Sequence, residues 1–424
     1  MTTLQSHTGA GAYSYPRSLF SATGVELEYM VVDRESLDVR PIVDEVFKSF
    51  AGEYVSDVEP DGPGSAIGWS NELALHVVEL KTMEPAASLV GLADAFHSHV
   101  RRLNELLAPM DARLLPTAMH PWMNPETEMR LWPHEYNPVY QAFNRIFSCR
   151  GHGWANLQST HINLPFATDE EFGRLHAAIR IVLPLIPALA ASSPVADGLW
   201  APIADRRLEV YRSNSARVPS IAARVVPELV FSRAEYEEKI LGRIYADLAP
   251  LDPDGVLRYE WANARGCIAR FDRGAIEIRV IDIQECPLAD IAVVALIVGV
   301  VKALVEERWM SYADQQRISV DPLHRTLLET IRYAERTRVS ESAILRAVGI
   351  DRTLAWAGDI WAGLLEQTLG DDSPFAPTLR SMFNKGTLSS RISDRLRRFP
   401  TRDELREVYN ELADCLARGA LFGV

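Results

Sequence analysis

The stretch Gly24–Val32, GVELEYMVV, constrains this chain more than any other. Val25, Leu27 and Tyr29 alternate in it with Glu26 and Glu28. Side chains alternate across a strand, so the spacing predicts a strand with an apolar back and two carboxylates on its front. Like charges that close repel unless a cation lies between them. Magnesium takes oxygen ligands and commonly joins carboxylates to nucleotide phosphates. Taken alone, the stretch also reads as an ordinary half-exposed strand with its acids in water, so the rest of the chain has to decide.

Three later segments bear on the choice. Asn71–Thr82 (NELALHVVELKT) carries Glu72 and Glu79. Being an odd number apart, they fall on opposite faces of a regular strand, and a bulge or bend is needed to bring both inward. Val77, Val78 and Leu80 make the surroundings of Glu79 apolar, where an uncompensated carboxylate is costly. Gln158–Phe166 (QSTHINLPF) sets His161 and Asn163 on one strand face and Ile162 and Leu164 on the other. A lone strand histidine is usually structural, but this pair would suit a metal or a phosphate oxygen. In Ala275–Ile283 (AIEIRVIDI), Glu277, Arg279 and Ile281 share one face, and Ile276, Ile278, Val280 and Asp282 the other. Glu277 and Arg279 form either a self-contained ion pair or a site in which Glu277 meets magnesium and the Arg279 fork meets an anion. Two arginine-rich patches remain, Arg206, Arg207, Arg212 and Arg217 in an irregular stretch, and Arg391 to Arg402 near the end.

Motifs that are missing narrow the chemistry. The chain has no GxxxxGK[ST] loop, no GxGxxG after a strand, no GxSxG elbow and no HExxH helix. A nucleotide would therefore be held by metal ions on carboxylates rather than by a glycine cradle. The net charge of −13 over 424 residues disfavours nucleic acid or an anionic membrane as partner. Four scattered cysteines without a CxxC pair fit a reducing cytoplasm and argue against thiolate zinc. The longest apolar run, Ile291–Val301, falls well short of a bilayer's width. A cytoplasmic protein acting on small molecules is expected, with a homo-oligomer left open.

Periodicity predicts strands separated by long helices up to about residue 290 and an almost wholly helical remainder. Residues 1–15 read as a polar, flexible leader, 16–290 as an α+β catalytic unit, and 291–424 as a helical region packed on it. Helices are expected over 41–50 and 85–109, and after the capping sequences at Thr168, Ser232 and Thr401. Strands are expected over 112–119 and 256–261 besides the four segments above. Residues 120–138, rich in proline and tryptophan, read as an ordered loop beside a cleft.

The chain resembles the glutamate–cysteine ligases and related carboxylate–amine ligases. The matching pieces are GVELEYMVVD (24–33), NELALHVVELKT (71–82), QSTHINLPF (158–166), LAASSPVADG (189–198) with its following arginines, and AIEIRVIDIQECPL (275–288), in the family's order. The resemblance implies a glutamine synthetase-like fold, α+β, in which an antiparallel sheet curves into a cup flanked by helices. It implies ATP and Mg2+ as cofactors, with Glu26, Glu28, Glu72, Glu79 and Glu277 as metal ligands. His161 and Asn163 fall on the family's polar strand pair, which in many members is His-x-His. Arg279 falls where an arginine contacts phosphate or the acyl phosphate, and Arg207 or Arg212 would be the substrate or phosphate arginine. ELEY replaces the commoner run of acids. The implied activity joins a carboxylate, the γ-carboxylate of glutamate first, to cysteine or another amine through an acyl phosphate. A guanidino or other N-phosphotransferase of the same architecture, or a non-catalytic nucleotide-binding regulator, is the alternative.

Overall fold

The computed structural model describes residues 15–423. Its centre is an eight-stranded, wholly antiparallel, open sheet. The strands are β1 (Gly24–Asp33), β2 (Asp57–Val58), β3 (Ile67–Asn71), β4 (Val77–Thr82), β5 (Ala112–Leu115) and β6 (Ser159–Pro165). After a two-residue ladder of β7 (Val195–Ala196) with β8 (Leu199–Trp200) come β9 (Cys267–Arg270) and β10 (Ala275–Asp282). The order is β2-β3-β4-β1-β6-β10-β9, with β5 on the second half of β1. The central strand is thus the one opened by Glu26 and Glu28.

Alternation decides what each face meets. Val25, Leu27, Tyr29 and Val31 point back into the main core with Trp69, Val78, Leu80, Ile162, Leu164, Ile276 and Ile278. The helices Leu92–Leu107, Asp169–Val182 and Pro287–Val305 pack behind the sheet. Pro287–Val305 is long and apolar enough to cross a bilayer, but 72% of its most apolar window is buried among these helices.

The front face is divided. Met30 and Val32 continue the row of Glu26 and Glu28, yet lie in a second apolar cluster with Leu115, Trp122, Val195 and the helices Leu388–Arg395 and Arg402–Arg418. The C-terminal helices therefore cover the apolar half of the front, and the acidic half is left. Thr401 caps the last helix by a reciprocal bond with Glu404. Thr168 and Ser232 cap theirs through their side-chain oxygens.

Several expectations are corrected. Residues 256–261 form no strand; the strand in this part of the chain is β9, Cys267–Arg270, with the turn and short 3-10 helix at 260–262 before it. Its CIAR sequence is too short for alternation to register. The helix expected over 85–109 begins at Leu92, after an irregular stretch, and the segment 71–82 is not one strand: β3 ends at Asn71 and β4 begins at Val77. The leader lies outside the described residues except for Tyr15, whose N–H donates to the Ala167 carbonyl at 2.9 Å and whose ring meets Phe166 edge-on. The four cysteines are buried and unpaired.

Candidate active site

The carboxylates converge because the register aligns them. Glu28 on β1 faces Glu79 on β4, and Glu26 lies opposite Lys81 on one side and His161 on the other. Asn163 on β6 faces Glu277 on β10. Glu72 reaches the same face from the β3–β4 turn rather than from a bulge, since β3 ends at Asn71. Five acidic side chains from β1, β4, β10 and the hairpin turn thus share one hollow.

His161 sits at their centre. Its Nδ1 lies 2.8 Å from Glu26 Oε2 and its Nε2 2.9 Å from Ser159 Oγ. Glu28 and Glu277 oxygens lie 3.7 and 3.9 Å away. Burial works against the imidazolium, but the bond to Glu26 and the charges of Glu28, Glu26 and Glu277 push its pKa up to about 9. Asn163 Nδ2 donates to Glu26 Oε1 at 3.0 Å. Ser159 gives both its N–H (2.7 Å) and its hydroxyl (3.1 Å) to Glu28 Oε2. Glu79 accepts from Ser70 Oγ at 2.6 Å.

The carboxylates are not equally compensated. Glu277 is buried, yet Arg279, His161 and Arg270 hold it below the usual carboxylate range. The same balance of burial against His161 lowers Glu26. Glu72 is pushed up to about 8 by burial and by Glu28, and Glu79 well up by burial, Glu26 and Glu72. Lys81 comes only to 3.9 Å of Glu79 and pairs instead with Asp57 at 2.7 Å. Too much negative charge meets too few cations at that end, a balance a bound cation would redress.

The donor set fits a hard divalent cation. Oxygen and ring-nitrogen atoms of Glu26, His161 and Glu277, and again of Glu28, Glu79 and His161, lie within 4.8 Å of one another. Asn163 Oδ1 is buried without a donor among the described residues. His161 would ligate only after releasing its proton, so metal binding there would be linked to pH.

The arginines separate. Arg279 lies at a β-bulge, where pairing with β6 shifts register between Ile278 and Ile281. Beyond the bulge the faces are exchanged: Ile281 pairs with Thr160 and enters the core, and Asp282 pairs with Ser159 on the front. This reverses the faces that simple alternation assigns to Ile281 and Asp282. Arg279 grips Glu277 Oε1 through Nη2 and, at 3.0 Å, through Nε. Arg207 is fully buried, with Nε on Asp282 Oδ1 at 2.6 Å and both Nη atoms near the Arg279 carbonyl at 3.3 and 3.4 Å. Asp282 Oδ2 takes the Ser192 N–H and the Ser193 hydroxyl, both at 2.8 Å. Arg212 is exposed and forks onto Glu209 at 2.7 and 2.9 Å, apart from the carboxylates.

Sequence reasoning passed over Ser159, Ser70, Tyr211 and Arg270. Ser159 opens STHIN on the same face as His161, a parity signal that was available. Tyr211 lies beside the Arg279 guanidinium, and Arg270 Nη1 reaches Glu277 Oε2 at 3.3 Å from an unforeseen strand.

Residues 22–411 match the glutamate-cysteine ligase family 2. The chain belongs to that family. An uncharacterized protein of Archaeoglobus fulgidus is 32% identical over 402 residues, covering 94% of this chain and 99% of its own. Among solved structures, a bifunctional glutathione synthetase from Pasteurella multocida aligns with 95% of this chain and 56% of its own (TM-score 0.46, 12% identity). The ligase PafA, in complex with the prokaryotic ubiquitin-like protein Pup, aligns with 96% of this chain and 77% of its own (TM-score 0.49, 11% identity). Membership of glutamate-cysteine ligase family 2 supports a carboxylate–amine ligase type of activity.

Proposed function

We propose that this protein is an ATP- and magnesium-dependent ligase that joins a carboxylate, glutamate's γ-carboxylate first, to the nitrogen of cysteine or another amino compound. The observation that carries the reading is the meeting of Glu26, Glu28, Glu72, Glu79 and Glu277 around His161 and Arg279 on one sheet face. When bound, ATP with its magnesium supplies the phosphoryl group that turns the carboxylate into an acyl phosphate, from which the amine displaces phosphate. Glu26, Glu28, Glu79 and Glu277 would hold the cations, with Glu72 at the rim. Arg279, kept charged by Glu277, would offer its remaining N–H groups to developing phosphoryl charge. Ser159 and Asn163 fix Glu28 and Glu26 in place. Arg207 would act through the Arg279 backbone rather than on substrate, and Arg212 has no partner in this hollow.

The test is ADP release from pairs of candidate carboxylates and amines, followed by the mass of the product. An amide mass with one ADP per turnover supports the ligase. ADP with a phosphorylated substrate and no amide would mark a phosphotransferase instead. Nucleotide binding without turnover would mark a regulator.

A further inference from the structure

Five aromatic rings form an unbroken row near the acidic hollow. Tyr259 stacks on Trp261 with centroids 5.6 Å apart and planes 11° from parallel. Trp261 meets Phe143 at 5.8 Å, Phe143 meets Trp154 at 5.2 Å, and Trp154 stacks on Phe147 at 5.4 Å. Phe143 and Phe147 share a face of the helix Asn137–Phe147 with Tyr140, being three and seven residues on.

The helix that carries Phe143, in the middle of the row, and the Tyr259–Trp261 end are each linked towards the carboxylates. The Tyr140 hydroxyl accepts from Asn71 Nδ2 at 3.0 Å, beside Glu72. At the Tyr259–Trp261 end Glu260, next to Trp261, accepts from the Asp272 N–H at 3.3 Å. Asp272 pairs with Arg270 at 3.2 Å, and Arg270 with Glu277 at 3.3 Å. The Tyr259–Trp261 end of the row is therefore the one linked, through Asp272 and Arg270, to Glu277. The row is open at the β9 end, where Tyr259 is 46% exposed and Trp261 only half-buried.

We propose that Trp261 and Tyr259 form the platform on which the base of the nucleotide stacks while the neighbouring carboxylates hold its phosphates through metal, an assignment that rests on the ligase reading above. A planar base presents a π-face that aromatic side chains accept whatever the base. The stacked pair stands one short chain of hydrogen bonds from Glu277, on the side away from Glu72. Phe143, itself packed on Trp154 and Phe147, backs Trp261, so the platform is in place before the ligand arrives.

The experiment compares MgADP with magnesium tripolyphosphate, which has the phosphates and no base, by calorimetry and tryptophan fluorescence on the full chain. The wild type should bind both, with fluorescence quenched by ADP alone. Tyr259→Ala and Trp261→Leu should weaken ADP by about tenfold or more and leave tripolyphosphate unchanged. Trp261→Phe, which keeps a ring, should restore most of the affinity but abolish the quench. ADP binding unchanged in the first two variants, or tripolyphosphate lost in equal measure, overturns the proposal. A wild type that binds neither ligand overturns the acidic-face reading itself and the platform with it.

Discussion

Glu28 and Glu277 are buried to 6% and 3% exposure and each is held by donors of its own chain. Glutamine in either place keeps an oxygen for those donors and removes the charge. Glu28→Gln and Glu277→Gln should leave the fold intact by circular dichroism and reduce ADP release with carboxylate and amine by at least about a hundredfold. Retention of near-normal release by either would mean that the metal assignment is wrong. Arg207 presents a different case. Asp282 is fully buried, so loss of its partner in Arg207→Leu should cost about 3–5 kcal/mol in denaturant titrations. Arg207→Lys keeps the charge but cannot hold Asp282 and the Arg279 carbonyl together. It should fold, with kcat affected more than KM, because on the proposed reading the group it misplaces, Arg279, would meet phosphoryl charge and not the resting substrate.

At the level of elements, the bulge in β10 brings Asp282 to the front of the sheet and the helix Arg402–Arg418 covers that face's apolar half. Leu412 is fully buried in that helix, in the apolar cluster that covers Met30 and Val32. Leu412→Ala should cost about 2–5 kcal/mol, read from the denaturation midpoint. The regularity of each element also decides how far the sequence was legible. Period-two alternation on β1 and β6 assigned Glu26, Glu28, His161 and Asn163 their face, because those strands are regular over the residues concerned. It misjudged β10 beyond Ile278, where an unpaired residue shifts the count by one and brings Asp282 forward. Glu72 was legible as an acid that needed a bend, but not the turn that supplies it. Cys267–Arg270 escaped notice because four buried residues carry no alternation. The split of the front face was hidden as well, since Met30 and Val32 read like any apolar strand end and their covering helices lie far away in sequence.

For the molecule as a whole, the clearest dependence on conditions comes from histidines buried uncharged. Burial holds His76 at about 3, His176 at about 3 and His120 at about 4, against about 6.5 in an unfolded chain. Between those values the unfolded chain binds more protons than the folded one, so stability rises with pH. Their contribution is fully present above about pH 6.5 and is lost as pH falls towards 4 and below. Asp290, pushed up to about 8 by burial, works the other way, its contribution being lost as pH rises from about 4 to 8. The histidines are therefore isolated by difference. The unfolding free energy of His76→Leu should fall less steeply than that of the wild type between pH 6.5 and 4, by up to about 1.4 kcal/mol per pH unit, read from denaturant titrations.

One row of alternate residues on the central strand begins with two carboxylates and ends as a hydrophobic seat for the final helices. Chemistry and solubility are thereby written on a single ribbon. A chain lacking the segment after Arg397 would strip the helix Arg402–Arg418 from Met30, Val32, Leu115 and Trp122 and leave only Leu388–Arg395 as cover for this greasy strip beside the carboxylates. Such a truncation should precipitate or self-associate in light scattering even though every acidic group of the hollow is still encoded.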